Sequence, residues 1–230
     1  PRHRPIRSFV RRAGRVTDAQ KRALGDLWPV YGIDAPDGCL DLPALFGRDA
    51  PITLEIGFGD GDVLAQLAAI HTERNFLGIE VHEPGVGALL LAVERGGIEN
   101  IRVIRDDAMI VLSDWLAPRS IARINLYFPD PWPKKRHHKR RIVQPDFLAR
   151  SARVLETGGV LHMATDWEPY AEHMLETTNA SQWFDNADDG ESYSPRPADR
   201  PESKFERRGR KLGHGVWDLL YRRNSAHVSR

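Results

Sequence analysis

The sequence is poor in cysteine, in long apolar runs and in net charge. A single cysteine, Cys39, among 230 residues excludes an internal disulfide and any zinc or iron–sulfur centre built from cysteines, so the chain suits a reducing compartment. No run of eighteen apolar residues occurs, and nothing apolar follows Pro1-Arg2-His3-Arg4 that could serve as a signal segment. We therefore expect a soluble, cytoplasmic protein with no membrane partner. There is no internal repeat and no low-complexity tract. At 41% hydrophobic and 28% charged, the composition is that of a globular chain long enough to bury a core without staples.

The near-zero net charge of +1 hides a segregation. Residues 1–22 carry Arg2, Arg4, Arg7, Arg11, Arg12, Arg15, Lys21 and Arg22 against Asp18 alone, whereas residues 23–62 carry eight acids against Arg48. Residues 155–191 hold nine acids and no Lys or Arg, but the octet Lys134-Lys135-Arg136-His137-His138-Lys139-Arg140-Arg141 is strongly basic, as is 200–211. Six like charges in one octet repel each other, and two further basic clusters could share its face. A polyanion would offset that repulsion through counterion release.

From Ile52 onward, short apolar runs rich in β-branched residues alternate with helical stretches. The runs are Ile52–Ile56, Phe76–Val81, Ile101–Ile104, Arg123–Phe128 and Val160–Ala164, with a final strand at Val216–Tyr221. Between them Leu64, Leu67, Ala68 and Ile70 form one apolar helix face, Leu89, Leu90 and Val93 a second, and Phe147, Leu148, Val154 and Leu155 a third. Strand–helix–strand repetition with right-handed crossovers predicts an α/β fold, a doubly wound, mostly parallel sheet closed by an antiparallel last strand. Ligands then bind at the carboxyl ends of the strands. The first fifty residues lack strand periodicity and read as a basic N-terminal arm plus a short helix near 18–27, which puts the domain proper at 51–230.

The first strand runs into Glu55-Ile56-Gly57-Phe58-Gly59-Asp60-Gly61-Asp62. Glycine there lets backbone approach a ligand, and Glu80 ends the next strand about where a carboxylate would accept ribose hydroxyls. The glycine spacing differs from the G-x-G-x-x-G of dinucleotide sites, and Glu55, Asp60 and Asp62 disfavour a pyrophosphate. The same charge favours a ligand with sulfonium and ammonium groups, which describes S-adenosylmethionine. Asp107, after the third strand, is placed to accept from the adenine amino group. The fourth strand exits through Phe128-Pro129-Asp130-Pro131-Trp132-Pro133, whose prolines stiffen the turn. There a base could stack on Trp132 with its polar edge on Asp130. Adjacent His137 and His138 lack a carboxylate or cysteine nearby, so no metal is expected. His162 reads as a satisfied core or sheet-face histidine, and Trp115, Trp183 and Trp217 as packing residues.

The run from Phe128 to Arg141 resembles the signature of the bacterial tRNA (guanine-N7-)-methyltransferase family. Similar in the same way are Arg7-Ser8-Phe9-Val10-Arg11-Arg12-Ala13-Gly14-Arg15, Leu54–Gly61, Gly78-Ile79-Glu80, Ala164-Thr165-Asp166-Trp167 and Ser203-Lys204-Phe205-Glu206-Arg207-Arg208-Gly209. The resemblance implies a class I, Rossmann-like enzyme that moves a methyl group from S-adenosylmethionine to the variable-loop guanine of tRNA at position 46, leaving S-adenosylhomocysteine. It places Glu55, Gly57, Gly59, Glu80, Asp107 and Asp130 at the cofactor, with Asp130 also catalytic. Lys134, Asp166, Ser203, Lys204, Phe205 and Glu206 fall at substrate-binding positions, Ser203 standing where the family usually has Thr. tRNA is then the partner, with no obligate protein partner, and the chain is a monomer or a homodimer. The rival readings are an amino-group methyltransferase, a non-catalytic RNA binder and a dinucleotide oxidoreductase. The single proline before Trp132, the intact acidic positions and the glycine spacing argue against them in turn.

Overall fold

Alternating apolar runs become a single eight-stranded sheet in the computed structural model, which describes residues 8–9, 14–188, 192–204, 206–207 and 215–226. The strands are β1 (Gly32–Ile33), β2 (Ile52–Ile56), β3 (Asn75–Ile79), β4 (Ile101–Ile104), β5 (Ile121–Tyr127), β6 (Leu155–Thr165), β7 (Phe184–Asn186) and β8 (Trp217–Arg223). Their spatial order is β1-β4-β3-β2-β5-β6-β8-β7. Pairings from β1 through β6 are parallel, while β8 runs antiparallel to both β6 and β7. The order reverses beside β2, so the crevice beyond the carboxyl ends of β2 and its neighbours is where this architecture accepts a ligand.

Both faces of the central strands are buried, so every residue of β2 and β3 is withdrawn from solvent, Thr53, Glu55 and Asn75 included. Leu54, Ile56, Leu77, Ile79, Ile124 and Leu126 point to one side, against Phe147 and Leu148 of α7 (Pro145–Val154) and Tyr170 and Met174 of α8 (Glu168–Asn179). Phe76 and Val103 point to the other, against Leu64 and Leu67 of α4 (Asp62–Ile70) and Leu89, Leu90 and Val93 of α5 (Glu83–Gly96). Truncating one such buried leucine to alanine costs about 2–5 kcal/mol. Ile70 and Leu155 depart from the expected helix faces. Ile70, at the last turn of α4, is 67% exposed, and Leu155 is already the first residue of β6, because α7 stops at Val154.

The N-terminal fifty residues are not free of strand, since Gly32–Ile33 pairs with Val103–Ile104 at the sheet edge. The expected short helix is α1 (Asp18–Asp26), opened by a capping box in which Thr17 and Gln20 satisfy each other's backbone N–H groups. It lies on α5, where Ala23 joins the core, Arg22 grips Glu94 through two hydrogen bonds (3.0 and 2.7 Å), and Gln20 donates to the Pro84 carbonyl. Short helices α2 (Trp28–Tyr31), α3 (Leu42–Phe46) and α6 (Ala108–Ile110) complete the layers. Most of the basic arm, residues 1–7 and 10–13, lies outside the described residues. No described helix is long and apolar enough to cross a membrane.

Candidate functional site

At the carboxyl ends of β2 to β5 lies a cavity of about 350 Å³, walled by Gly57, Glu80, Asp106, Phe128 and Asp130 and approached by Ser8 and Phe9. Its floor is the glycine turn, where Gly57, Gly59 and Gly61 all adopt positive φ (72°, 61° and 78°), a conformation that side chains disfavour. The turn is braced from behind by α5. A Cβ on Gly85 would stand 2.1 Å from the Gly59 carbonyl oxygen, so only glycine lets the helix start this close.

Glu80 ties the turn to the end of β3. Its carboxylate accepts from the backbone N–H groups of Gly59 (2.8 Å), Val81 (2.7 Å) and His82 (3.0 Å). A carboxylate has about four acceptor positions, so Glu80 retains room for one further strong donor rather than the pair of ribose hydroxyls expected. Glu55 does not line the cavity. It stands one residue before the wall, on the α4 face of β2, between Gly78 and Asn125. It is 3% exposed, and its Oε2 has no hydrogen-bond partner. Burial, and then the nearby charge of Glu80, push its carboxyl up to about 8, so in the ligand-free chain Glu55 is largely protonated at neutral pH.

The two acids after β4 divide the work differently from expectation. Asp106 faces the cavity, with Oδ1 accepting from the Asp107 N–H at 2.6 Å. Asp107 caps α6, its Oδ1 accepting from the Met109 N–H at 3.0 Å, which leaves Oδ2 as the oxygen with acceptor capacity.

Asp130 stands exposed on the cavity rim, on a turn with two non-glycine residues at positive φ, Phe128 (51°) and Trp132 (45°). Such strain is held only by surrounding contacts. The Trp132 indole N–H donates to the Ser8 carbonyl at 3.1 Å, and the guanidinium of Arg140 lies 4.3 Å from the ring centroid. One face of the ring expected to stack a base thus already meets the chain's own cation. Asp166 leaves β6 at the same end of the sheet. The paired residues Tyr127 and Ala164 precede Asp130 and Asp166 by three and two positions, and the Phe128 N–H donates to the Ala164 carbonyl.

The basic octet forms a 3-10 helix at Lys135–Arg140 beside this rim. Lys134, Lys135, Arg136 and Lys139 are exposed, as a polyanion contact requires, but Arg141 is buried. Loss of solvent, and then the charges of Arg136, Arg140, Lys134 and Lys139, hold His137 below its ordinary pKa.

The segment expected at the substrate is split. Lys204 reaches across to the glycine turn and pairs with Asp60 (2.5 Å) and Asp62 (2.9 Å). Ser203 accepts from the Glu206 N–H, and Glu206, 1% exposed, is clamped by Arg200 through hydrogen bonds of 2.7 and 3.1 Å. Both are buried and close the turn that carries Lys204; Phe205 lies outside the described residues. Arg200 also donates to Asp218 (3.0 Å), which accepts from Nε2 of His162 at 2.7 Å, and Nδ1 of His162 lies within hydrogen-bond distance of Arg123 (2.8 Å) and the Tyr127 hydroxyl (2.9 Å). His162 is thus a satisfied core histidine, its pKa lowered chiefly by burial. The described residues hold no group of three or more potential metal ligands.

The sheet order, the glycine turn and the acid-rimmed cavity define a Rossmann-like methyltransferase. A family model described as "Putative methyltransferase" matches residues 49–219, and the 16S rRNA methyltransferase KamB shares the fold (TM-score 0.56, 14% identical, covering 84% of this chain and 98% of that one). A tRNA (guanine-N(7)-)-methyltransferase of Alcanivorax borkumensis is 55% identical over 222 residues, 96% of this chain and 93% of the relative. One of Cronobacter sakazakii is 56% identical over 220 residues, 96% and 92% of the two chains. The chain belongs to the tRNA (guanine-N7-)-methyltransferase family.

Proposed function

We propose that this chain transfers a methyl group from S-adenosylmethionine to N7 of a guanine in tRNA, and that the guanine is the one at position 46 of the variable loop. The observation that carries the reading is Asp130 on the rim of the cavity, with Asp166 leaving the adjacent strand beside it and exposed Lys134, Lys135, Arg136 and Lys139 following directly.

The donor set suits this cofactor. The cavity volume is in the range of small-molecule sites. Glu80 keeps one acceptor position for a ribose hydroxyl, and Asp107 Oδ2 and Asp106 suit an adenine amino group. When bound, S-adenosylmethionine supplies an electrophilic methyl group on its sulfonium. Guanine N7 offers an in-plane lone pair and no proton, so none of these carboxylates has to act as a base. Asp130 and Asp166 orient the ring by accepting from its N1–H and amino group. Their negative charge then favours the positive charge that develops on the base. Exposed cations of the octet, with Lys204, hold the phosphates.

The position within tRNA is tested with transcripts that differ only there. A transcript with guanine 46 replaced by adenine is expected to bind but accept no methyl group, and equal methylation of both transcripts would overturn the assignment of position.

A further inference from the structure

Arg141 is the one member of the octet that is fully withdrawn from solvent, at 3% exposure. Its Nε donates to the Pro131 carbonyl at 2.9 Å and its Nη1 to the Pro169 carbonyl at 3.2 Å. The guanidinium lies over the Tyr170 ring, 4.8 Å from its centroid, and Nη2 stands 3.3 Å from Nε2 of His138. Pro131 follows Asp130 directly, and Pro169 lies three residues past Asp166. One planar group therefore bridges the Asp130 turn and the first turn of α8, which directly follows the Asp166 loop.

We propose that Arg141 is a positioning residue that holds the Asp130 turn and the Asp166 loop in one fixed relation, and not a contact for RNA phosphate. This rests on the reading of Asp130 and Asp166 as the pair that orients the base. Burying a cation is costly, and the hydrogen bonds described for Arg141 go to carbonyl oxygens and a histidine, with no carboxylate among them. Holding the fold together would be served at lower cost by an apolar side chain of similar volume. What a guanidinium adds is a rigid fork whose separate donors reach one carbonyl of the Asp130 turn and one at the start of α8, which a lysine ammonium cannot reproduce. Misplacing an orienting carboxylate by about 1 Å costs on the order of 100-fold in rate, so the bridge acts on turnover and not on capture of the tRNA.

The test compares R141K and R141Q with the wild-type chain, measuring kcat and KM for tRNA, the salt dependence of tRNA binding, and S-adenosylmethionine binding by calorimetry. The expected result is a fall in kcat of about 10- to 100-fold in both variants, with KM, the salt slope and cofactor affinity near wild type. Lysine is not expected to rescue, although it preserves the charge. A raised KM with a salt slope smaller by about 1, or full activity in R141K, would overturn the proposal, because the residue would then act as a charge. Failure of both variants to fold would overturn it too, since Arg141 would then hold the fold and not the relation of two loops. Absence of methyl transfer by the wild-type chain would instead strike the underlying reading of the site.

Discussion

The backbone N–H of Gly59 donates to Oε2 of Glu80 at 2.8 Å, joining the glycine turn after β2 to the end of β3 through a side chain. Glu80 is therefore both part of the wall and the strut that holds the turn. In Glu80→Gln one acceptor oxygen becomes an amide NH2 donor that faces backbone N–H groups. We expect the turn to loosen and S-adenosylmethionine affinity, measured by calorimetry, to fall at least 10-fold; unchanged affinity would show that the strut is dispensable.

Gly85 braces the same turn from behind. Because a Cβ there would meet the Gly59 carbonyl at 2.1 Å, Gly85→Ala must push either α5 or the turn aside. Small-to-large changes of this kind cost about 1–3 kcal/mol. A lower Tm together with weaker cofactor binding is expected, whereas an alanine variant with wild-type Tm and affinity would contradict the close approach.

Glu55 sets a pH dependence. Its carboxyl is raised from an ordinary 4.5 to about 8, first by burial and then by Glu80. The folded chain thus holds a proton that the unfolded chain releases, so stability from this group is fully present below about pH 4.5 and is lost as pH rises towards 8. Glu55→Gln removes the titration. Its ligand-free Tm is expected to exceed that of the wild type, by a margin that grows from pH 5 to pH 8. A margin that is constant or shrinks with pH over that range would contradict the buried, protonated carboxyl.

Two cations of the 200–207 segment differ in their surroundings and should differ in their effects. Arg200 is buried between Glu206 and Asp218, so Arg200→Met removes the one guanidinium that these two buried carboxylates share, at a cost of about 3–5 kcal/mol read from urea unfolding. Lys204 is exposed, and its pairs with Asp60 and Asp62 contribute within about 1 kcal/mol. Lys204→Met is expected to leave unfolding nearly unchanged and to reduce the salt slope of tRNA binding by about 1. Equal destabilisation by the two substitutions would refute the assignment.

The parts of the fold legible in the sequence are those where burial imposes a simple pattern. Ile52–Ile56 and Ile101–Ile104 match their strands end to end because central parallel strands are covered on both faces and so are rich in apolar, β-branched residues, despite Glu55 and Arg102 within them. The glycine turn was legible because positive φ restricts the residue choice. What the pattern could not carry was tertiary. Gly32–Ile33 is too short for any periodicity, and its strand character comes from pairing with β4. Six cations in 134–141 look alike in sequence, yet Arg141 alone meets the carbonyls of Pro131 and Pro169, the latter brought there by α8. Ser203 and Glu206 likewise owe their internal roles to Arg200 and to the turn they close, neither of which a linear spacing reveals.

The most direct test of the account is methyl transfer from labelled S-adenosylmethionine to unmodified tRNA, with the product digested and the nucleoside identified by mass and retention. The account predicts 7-methylguanosine from the wild-type chain, and a large loss of kcat in Asp130→Asn, which keeps the shape of the side chain and removes its charge. A different methylated nucleoside, or full turnover in Asp130→Asn, would contradict it.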